Sequence, residues 1–166
     1  MTKSSNGKLL YRASRDGFTG DAFHSKCDKK PNTVSIIKNE LNYVFGGYTS
    51  AKWSNNDEFI TDRNAYIFSL RRKGISNNQK FKIKNAELAI YGDSNYGPTF
   101  GESDIDIKNE CNLYQGSFTH IGDTYESPED CKHGTLNAKT YLSGKHNTWI
   151  INEIEVFQIY LNEEKK

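Results

Sequence analysis

The chain has 166 residues with 22 basic and 21 acidic side chains, a net charge of +1 that excludes the summed basic field by which proteins collect nucleic acid or anionic lipid. Aromatic residues make up 13%, mostly Tyr and Phe, while a mean hydropathy of −0.79 reflects connections filled by Asn, Lys, Ser and Gly, a mixture suited to many short strands. No apolar stretch approaches the roughly 18 residues of a membrane span. Residues 1–6 lack the apolar centre of a signal peptide, so an intracellular, cytoplasmic protein without membrane insertion is expected. The length suits one domain over residues 1–166, burying about 70% of its unfolded surface. Cys27, Cys111 and Cys131 are an odd number at wide spacings, and Asn-x-Ser/Thr is absent from the sequence; reduced thiols follow.

In chain order, residues 8–11 begin as a short strand, and Asp16-Gly17 turns the chain into a helix over 19–27. Thr19 caps it, Asp21 lies where the helix dipole favours negative charge, and Phe18 and Phe23 have the N′–N4 staple spacing. Phe23 and Cys27 share one face, and Pro31 forbids much extension. Residues 33–53 read TVSIIKNELNYVFGGYTSAKW, two β-type runs around the polar break 38–42, which predicts an antiparallel hairpin. Gly46-Gly47 inside the second run marks a bulge or a close backbone approach. A single helical turn is expected at 50–53, then a polar loop over 54–63. Strands are expected at 65–70, 80–83, 86–91, 105–107 and 149–160. The last carries Ile154, Val156 and Tyr160 against Phe157 and Ile159, which predicts a central strand covered on both faces. Residues 109–144, punctuated by Gly116, Gly122, Gly134 and Gly144, read as a functional surface or a set of packed loops. The fold class is mainly β, an antiparallel β-sandwich edged by one or two short helices.

The segments LLYRASRDGF (9–18), AFHSKCD (22–28), VFGGYTSAKW (44–53), AIYGDSNYGPTF (89–100) and EIEVFQIY (153–160) resemble the TLDc domain, the module of eukaryotic oxidation-resistance proteins. The likeness runs over a core of about 9–160 and is weakest through 115–147. It implies an antiparallel sandwich that makes protein contacts rather than running a defined reaction. It also implies association with the vacuolar-type proton ATPase and a role in resistance to oxidative stress. Phe45, Gly46, Gly47, Tyr48, Trp53, Gly97, Pro98 and Glu155 fall on its motifs, with a structural or interaction role. Partner contact through loops at one end of the sandwich is expected.

Chemistry-bearing patterns are incomplete. The loop GDSNYGPTFGE (92–102) has neither the Gly-Lys-Ser/Thr ending nor the helix of a phosphate cradle. Asp104 and Asp106, with Glu110 near, suggest a hard-cation site, but Lys108 and Asn109 stand where an EF-hand loop needs Asp or Asn and then Gly. With Ile105 and Ile107 on the opposite face, a solvated strand edge is expected there. His24, His120, His133 and His146 with the cysteines supply no CxxC, HxxxH or HExxH; Cys131 and His133 make only two ligands. Cys27 reads as a buried hydrophobe, and Cys111 and Cys131, in loops, as the thiols that meet oxidants. Paired glycosidic acids could be sought among Glu153, Glu155 and the Asp104–Asp106 pair, but no spacing selects a pair. Trp53 with Tyr48 could form a sugar-stacking platform, so a carbohydrate-binding sandwich is the alternative function. A hydrolase or peroxide-consuming enzyme ranks third because no nucleophile set is legible. The expectation is no catalytic residue, no cofactor and no metal.

Overall fold

A computed structural model describes residues 6–160, and the charged tail 162–166 lies outside the described residues. The fold is a sandwich of two antiparallel sheets. Strands β1 (Asn6–Arg12), β2 (Thr33–Asn39), β3 (Val44–Thr49), β5 (Tyr66–Arg72), β6 (Ile75–Lys82) and β11 (Ile151–Tyr160) form a six-stranded sheet in the order β1-β11-β2-β3-β5-β6. Strands β4 (Asn56–Ile60), β7 (Ile90–Asp93), β8 (Thr99–Phe100), β9 (Ile105–Asp106) and β10 (Phe118–Thr119) form a five-stranded sheet in the order β10-β9-β8-β7-β4.

The hairpin pairs as its sequence directs, from Val34↔Tyr48 to Lys38↔Val44. Its turn is built by Asn39, whose Oδ1 accepts from the backbone N–H of Leu41 and Tyr43 while Nδ2 donates to Ser143 O at 2.7 Å. A side-chain amide replacing backbone partners is the ordinary way an Asn initiates a turn. The closing strand β11 lies between β1 and β2, so it is internal. Its inner residues Ile154 and Val156 are buried, whereas Phe157 and Ile159 on the other face are only half-buried and Tyr160 is exposed. Cover is therefore complete on one face alone.

Helix α2 (Gly20–Cys27) starts where capping chemistry predicts, with Thr19 Oγ1 accepting from Ala22 N at 3.1 Å. Buried His24 ties it to both flanks, through Asp28 Oδ1 at 2.6 Å and Asp93 O at 2.9 Å. Phe23 meets Tyr11 and Trp53 edge-on, at centroid distances of 5.8 and 5.1 Å. Between the sheets lie Ile37, Phe45, Ile67, Ile90, Phe100 and Ile105, all fully buried, and Trp53 and Trp149 are buried in the same core.

Several local expectations are corrected. A short helix α1 (Ala13–Asp16) precedes the Gly17 turn; Glu153 of β11 satisfies its free Ser14 N–H, a long-range cap that local sequence does not display. Residues 50–53 form a bend, not a helical turn, because Asp62 takes the Ser50 and Ala51 N–H groups. The polar loop 54–63 contains the edge strand β4, whose residues are mostly exposed and so show no apolar alternation. Residues 86–91 split into a 3₁₀ turn (Ala86–Leu88) capped by Asn85 and the strand β7. Residues 109–144 hold β10 and a third helix, α3 (Leu136–Thr140), capped by Thr135. Among the described residues no helix is long and apolar enough to cross a membrane.

Candidate functional site

Strand alternation divides the six-stranded sheet into a packed inner face and a less buried outer one. Along β2, Thr33, Ser35, Ile37 and Asn39 are buried while Val34 and Ile36 are half-buried. Register then joins the outward residues into rows that cross the sheet. One row runs Leu9↔Phe157↔Val34↔Tyr48↔Tyr66↔Lys82, and the next runs Arg12↔Glu155↔Ile36↔Gly46↔Phe68↔Lys80. Between them opens a groove of about 400 Å³ whose apolar walls are Val34, Ile36, Tyr66, Phe68 and Leu70, with Lys80 on its rim. Tyr48 and Tyr66 stack at 5.1 Å, and the Lys80 ammonium sits 3.8 Å above the Tyr66 ring. Burial raises the Tyr66 pKa further above its already alkaline ordinary value. At the far end of the face Arg12 pairs with Glu155 at 2.6 Å.

The residues singled out by sequence divide across this sheet. Phe45 and Gly47 point inward, Phe45 onto Trp149 and Gly47 against the Phe100 ring of the opposing sheet. Gly46 and Tyr48 belong to the outer face. A Cβ on Gly46 would meet the Ser35 carbonyl and lie 3.1 Å from the Phe68 ring, so its absence lets β2 and the Phe68 side chain of β5 lie close against β3. The paired glycines thus mark close approach, and the bulge lies one step earlier, between Val44 and Phe45 against β5. Glu155 is outward and ion-paired. Gly97 and Pro98 are buried, Gly97 N donating to Ile107 O at 2.8 Å. Trp53 is 1% exposed, donates from Nε1 to Thr33 Oγ1 and packs on Phe100. It supplies no sugar platform. The rest of the outer face, Leu9, Val34, Ile36, Tyr66, Phe68 and Leu70, escaped the sequence reading. The available signal was that β2 is apolar at both parities, Val34 and Ile36 against Ile37.

The remaining candidates are dispersed. The expected solvated edge at Asp104 and Asp106 is overturned, because these carboxylates are 0% and 8% exposed. Asp104 takes the backbone N–H groups of Gly122, Thr124 and Tyr125, anchoring the loop after β10; burial pushes its carboxyl up to about 7 against those donors. Cys111 and Cys131 are 1% and 2% exposed, which removes the expectation that these loop thiols meet oxidants. Burial pushes Cys111 up to about 12 and Cys131 up to about 11, so neither is a thiolate near neutrality. Cys27 is likewise buried and its pKa raised. His120 and His133 stack at 3.9 Å, and His24 lies in α2. Among the described residues no three His, Cys, Asp or Glu side chains are placed to hold a metal ion. Glu153 and Glu155 are hydrogen-bonded to Ser14 and Arg12, which gives each carboxylate a structural partner.

Comparison with known proteins identifies a family. The family model of the TLDc domain matches residues 1–160. The MTOR-associated protein MEAK7 of Danio rerio is 25% identical over 63 residues, which is 38% of this chain and 14% of that protein. The chain therefore matches only about a seventh of the length of that curated relative. On the family match, the chain belongs to the TLDc family.

Proposed function

From that membership, we propose that the chain is a non-enzymatic protein-interaction module of the cytoplasm that associates with the vacuolar-type proton ATPase and contributes to oxidative-stress resistance. The observation that carries the reading is the outer face of the six-stranded sheet, where a groove walled by Val34, Ile36, Tyr66, Phe68 and Leu70 lies open across the strands. An open apolar groove of this kind suits the side chains of a partner protein. We put the contact on this face, not on the loops at one end of the sandwich. Lys80 and Lys82 border the apolar rows on β6, so a partner segment with apolar side chains followed by carboxylates has the complementary pattern. That the zebrafish relative is named for an association with MTOR is consistent with a family that works by binding.

Two assays together test the reading. The purified chain is expected to co-sediment with the vacuolar-type ATPase and to show hydrolase and peroxidase turnover no higher than a heat-denatured control. Turnover abolished by one Cys, His or Glu substitution overturns the non-enzymatic part. Failure to co-sediment overturns the partner.

A further inference from the structure

On the opposite side of the sandwich, the outer face of the five-stranded sheet carries a smaller pocket of about 240 Å³. Its walls are aromatic. Phe59 of β4 and Tyr91 of β7 are register partners with ring centroids 5.0 Å apart, and Tyr96 meets Tyr91 edge-on at 5.7 Å. The Tyr91 hydroxyl donates to Asp57, which fixes the ring. Phe59 is 40% exposed, so one face of its ring is open to a ligand.

The floor is charged. Asp106 of β9 lines the pocket at 8% exposure, and its Oδ1 accepts no hydrogen bond. The Lys108 ammonium lies 3.0 Å from that oxygen, but with hydrogen-bond geometry only toward Oδ2, at 3.1 Å. The same ammonium sits 4.1 Å over the Tyr96 ring, within the roughly 6 Å reach of a cation–π contact. Glu102, exposed on the rim, adds a carboxylate without a cation of its own among the described ion pairs. A buried carboxylate that faces aromatic rings and is held by the ammonium of Lys108 has the chemistry of a cation receptor.

We infer that this pocket binds a basic side chain, a lysine ammonium or arginine guanidinium presented by a partner protein, with the cation over Tyr91 and Tyr96, hydrogen-bonded to Glu102 and, on displacing Lys108, to Asp106. Lys108 is then an internal competitor that keeps the carboxylate paired until the partner arrives. The guanidinium is favoured over the ammonium because its planar fork stacks on a ring while donating to two carboxylates. Only the source of the cation, a protein, depends on the interaction-module reading. The face involved is the reverse of the groove, so ATPase association and this pocket stand or fall separately.

The test is an amide-shift titration of the intact chain at low ionic strength with an acetylated, amidated tetra-arginine peptide, with a tetra-glutamate peptide as control. Saturable shifts are expected at residues 57–60, 91–96 and 102–108 with tetra-arginine alone. Asp106→Asn is expected to weaken binding by at least about tenfold. Glu102→Gln, on the exposed rim where folding is not at stake, is expected to weaken it by less. Lys108→Met, which keeps the stem and removes the competing charge, is expected to tighten it several-fold. Absence of saturable shifts, an equal response to tetra-glutamate, or unchanged affinity in both carboxylate variants overturns the inference.

Discussion

Replacing Gly47 by Ala tests the packing logic of the sandwich at its tightest point. An ideal Cβ at this position lies 2.5, 2.7 and 2.7 Å from three carbons of the Phe100 ring. Carbon–carbon contacts settle at roughly 3.5–4.0 Å, so the ring has to retreat by about 1 Å. It has little room: Phe100 is 0% exposed, Trp53 stands edge-on to it at 5.5 Å, and Trp53 is backed by Phe23 at 5.1 Å and tethered to Thr33. Gly47 does not have a positive φ, so backbone strain contributes nothing and the whole effect is overpacking. Overpacking of this kind costs roughly 1–3 kcal/mol, and Gly47→Val lies at or beyond the upper end. For a domain of this size each kcal/mol lowers Tm by about 2–4 °C. Urea unfolding of Gly47→Ala, Phe100→Leu and the double variant is the assay. The smaller ring substitute is expected to relieve the clash, giving a favourable coupling of about 0.5–3 kcal/mol. An unchanged urea midpoint for Gly47→Ala, or strict additivity in the double variant, refutes the reasoning.

Other expectations follow from the buried polar groups. Asp62 accepts from Thr49 Oγ1, Ser50 N, Ser50 Oγ and Asn64 N; Asp62→Ala strands those donors, each costing about 1–3 kcal/mol where it stays buried, and a urea midpoint within error of wild type rejects this. Burial opposes ionisation of Asp62 but the hydrogen bonds outweigh it and depress its pKa below 3.8, so its contribution is complete above that value and is lost as pH falls through the folded-state value; Asp62→Asn is expected to flatten that arm of the stability–pH curve. For His120, burial and then the stacked His133 depress the pKa below 6.5, so stability is full above 6.5 and declines as pH falls through the depressed value. Amide exchange in residues 120–135 is expected to accelerate over that range in the wild type and less so in His133→Phe, which removes the smaller of the two causes. Native Cys27 and Cys111 are expected to react with a thiol reagent only at the rate of opening, and labelling as fast as a free thiol contradicts their burial.

The elements that sequence revealed are those whose signals are local. The hairpin announces itself by two β-branched runs around Asn39, and α2 by the Thr19 cap. What stayed hidden depends on partners distant in sequence. Strand β4 is exposed and gains its identity only by pairing with β7; α1 is capped by Glu153 from the far end of the chain. Asp104 alternates with Ile105 as a surface acid would, yet it is buried because three backbone donors from residues 122–125 arrive to satisfy it. The candidate surface was half legible. Gly46, Tyr48 and Glu155 were singled out, but the register that joins them to Val34, Ile36, Tyr66 and Phe68 exists only once six strands are aligned.

The most direct measurement is the affinity of the intact chain for the purified vacuolar-type ATPase, compared with that of Ile36→Lys. Ile36 is half-buried at the groove wall, and a lysine there faces Glu155 across the strand pair, an opposite-charge arrangement that leaves the sheet intact. The expected result is saturable binding by the wild type and a loss of roughly tenfold or more in a variant whose amide exchange shows the native fold. Equal binding by the two proteins, or no binding by either, contradicts the assignment of this face to partner recognition.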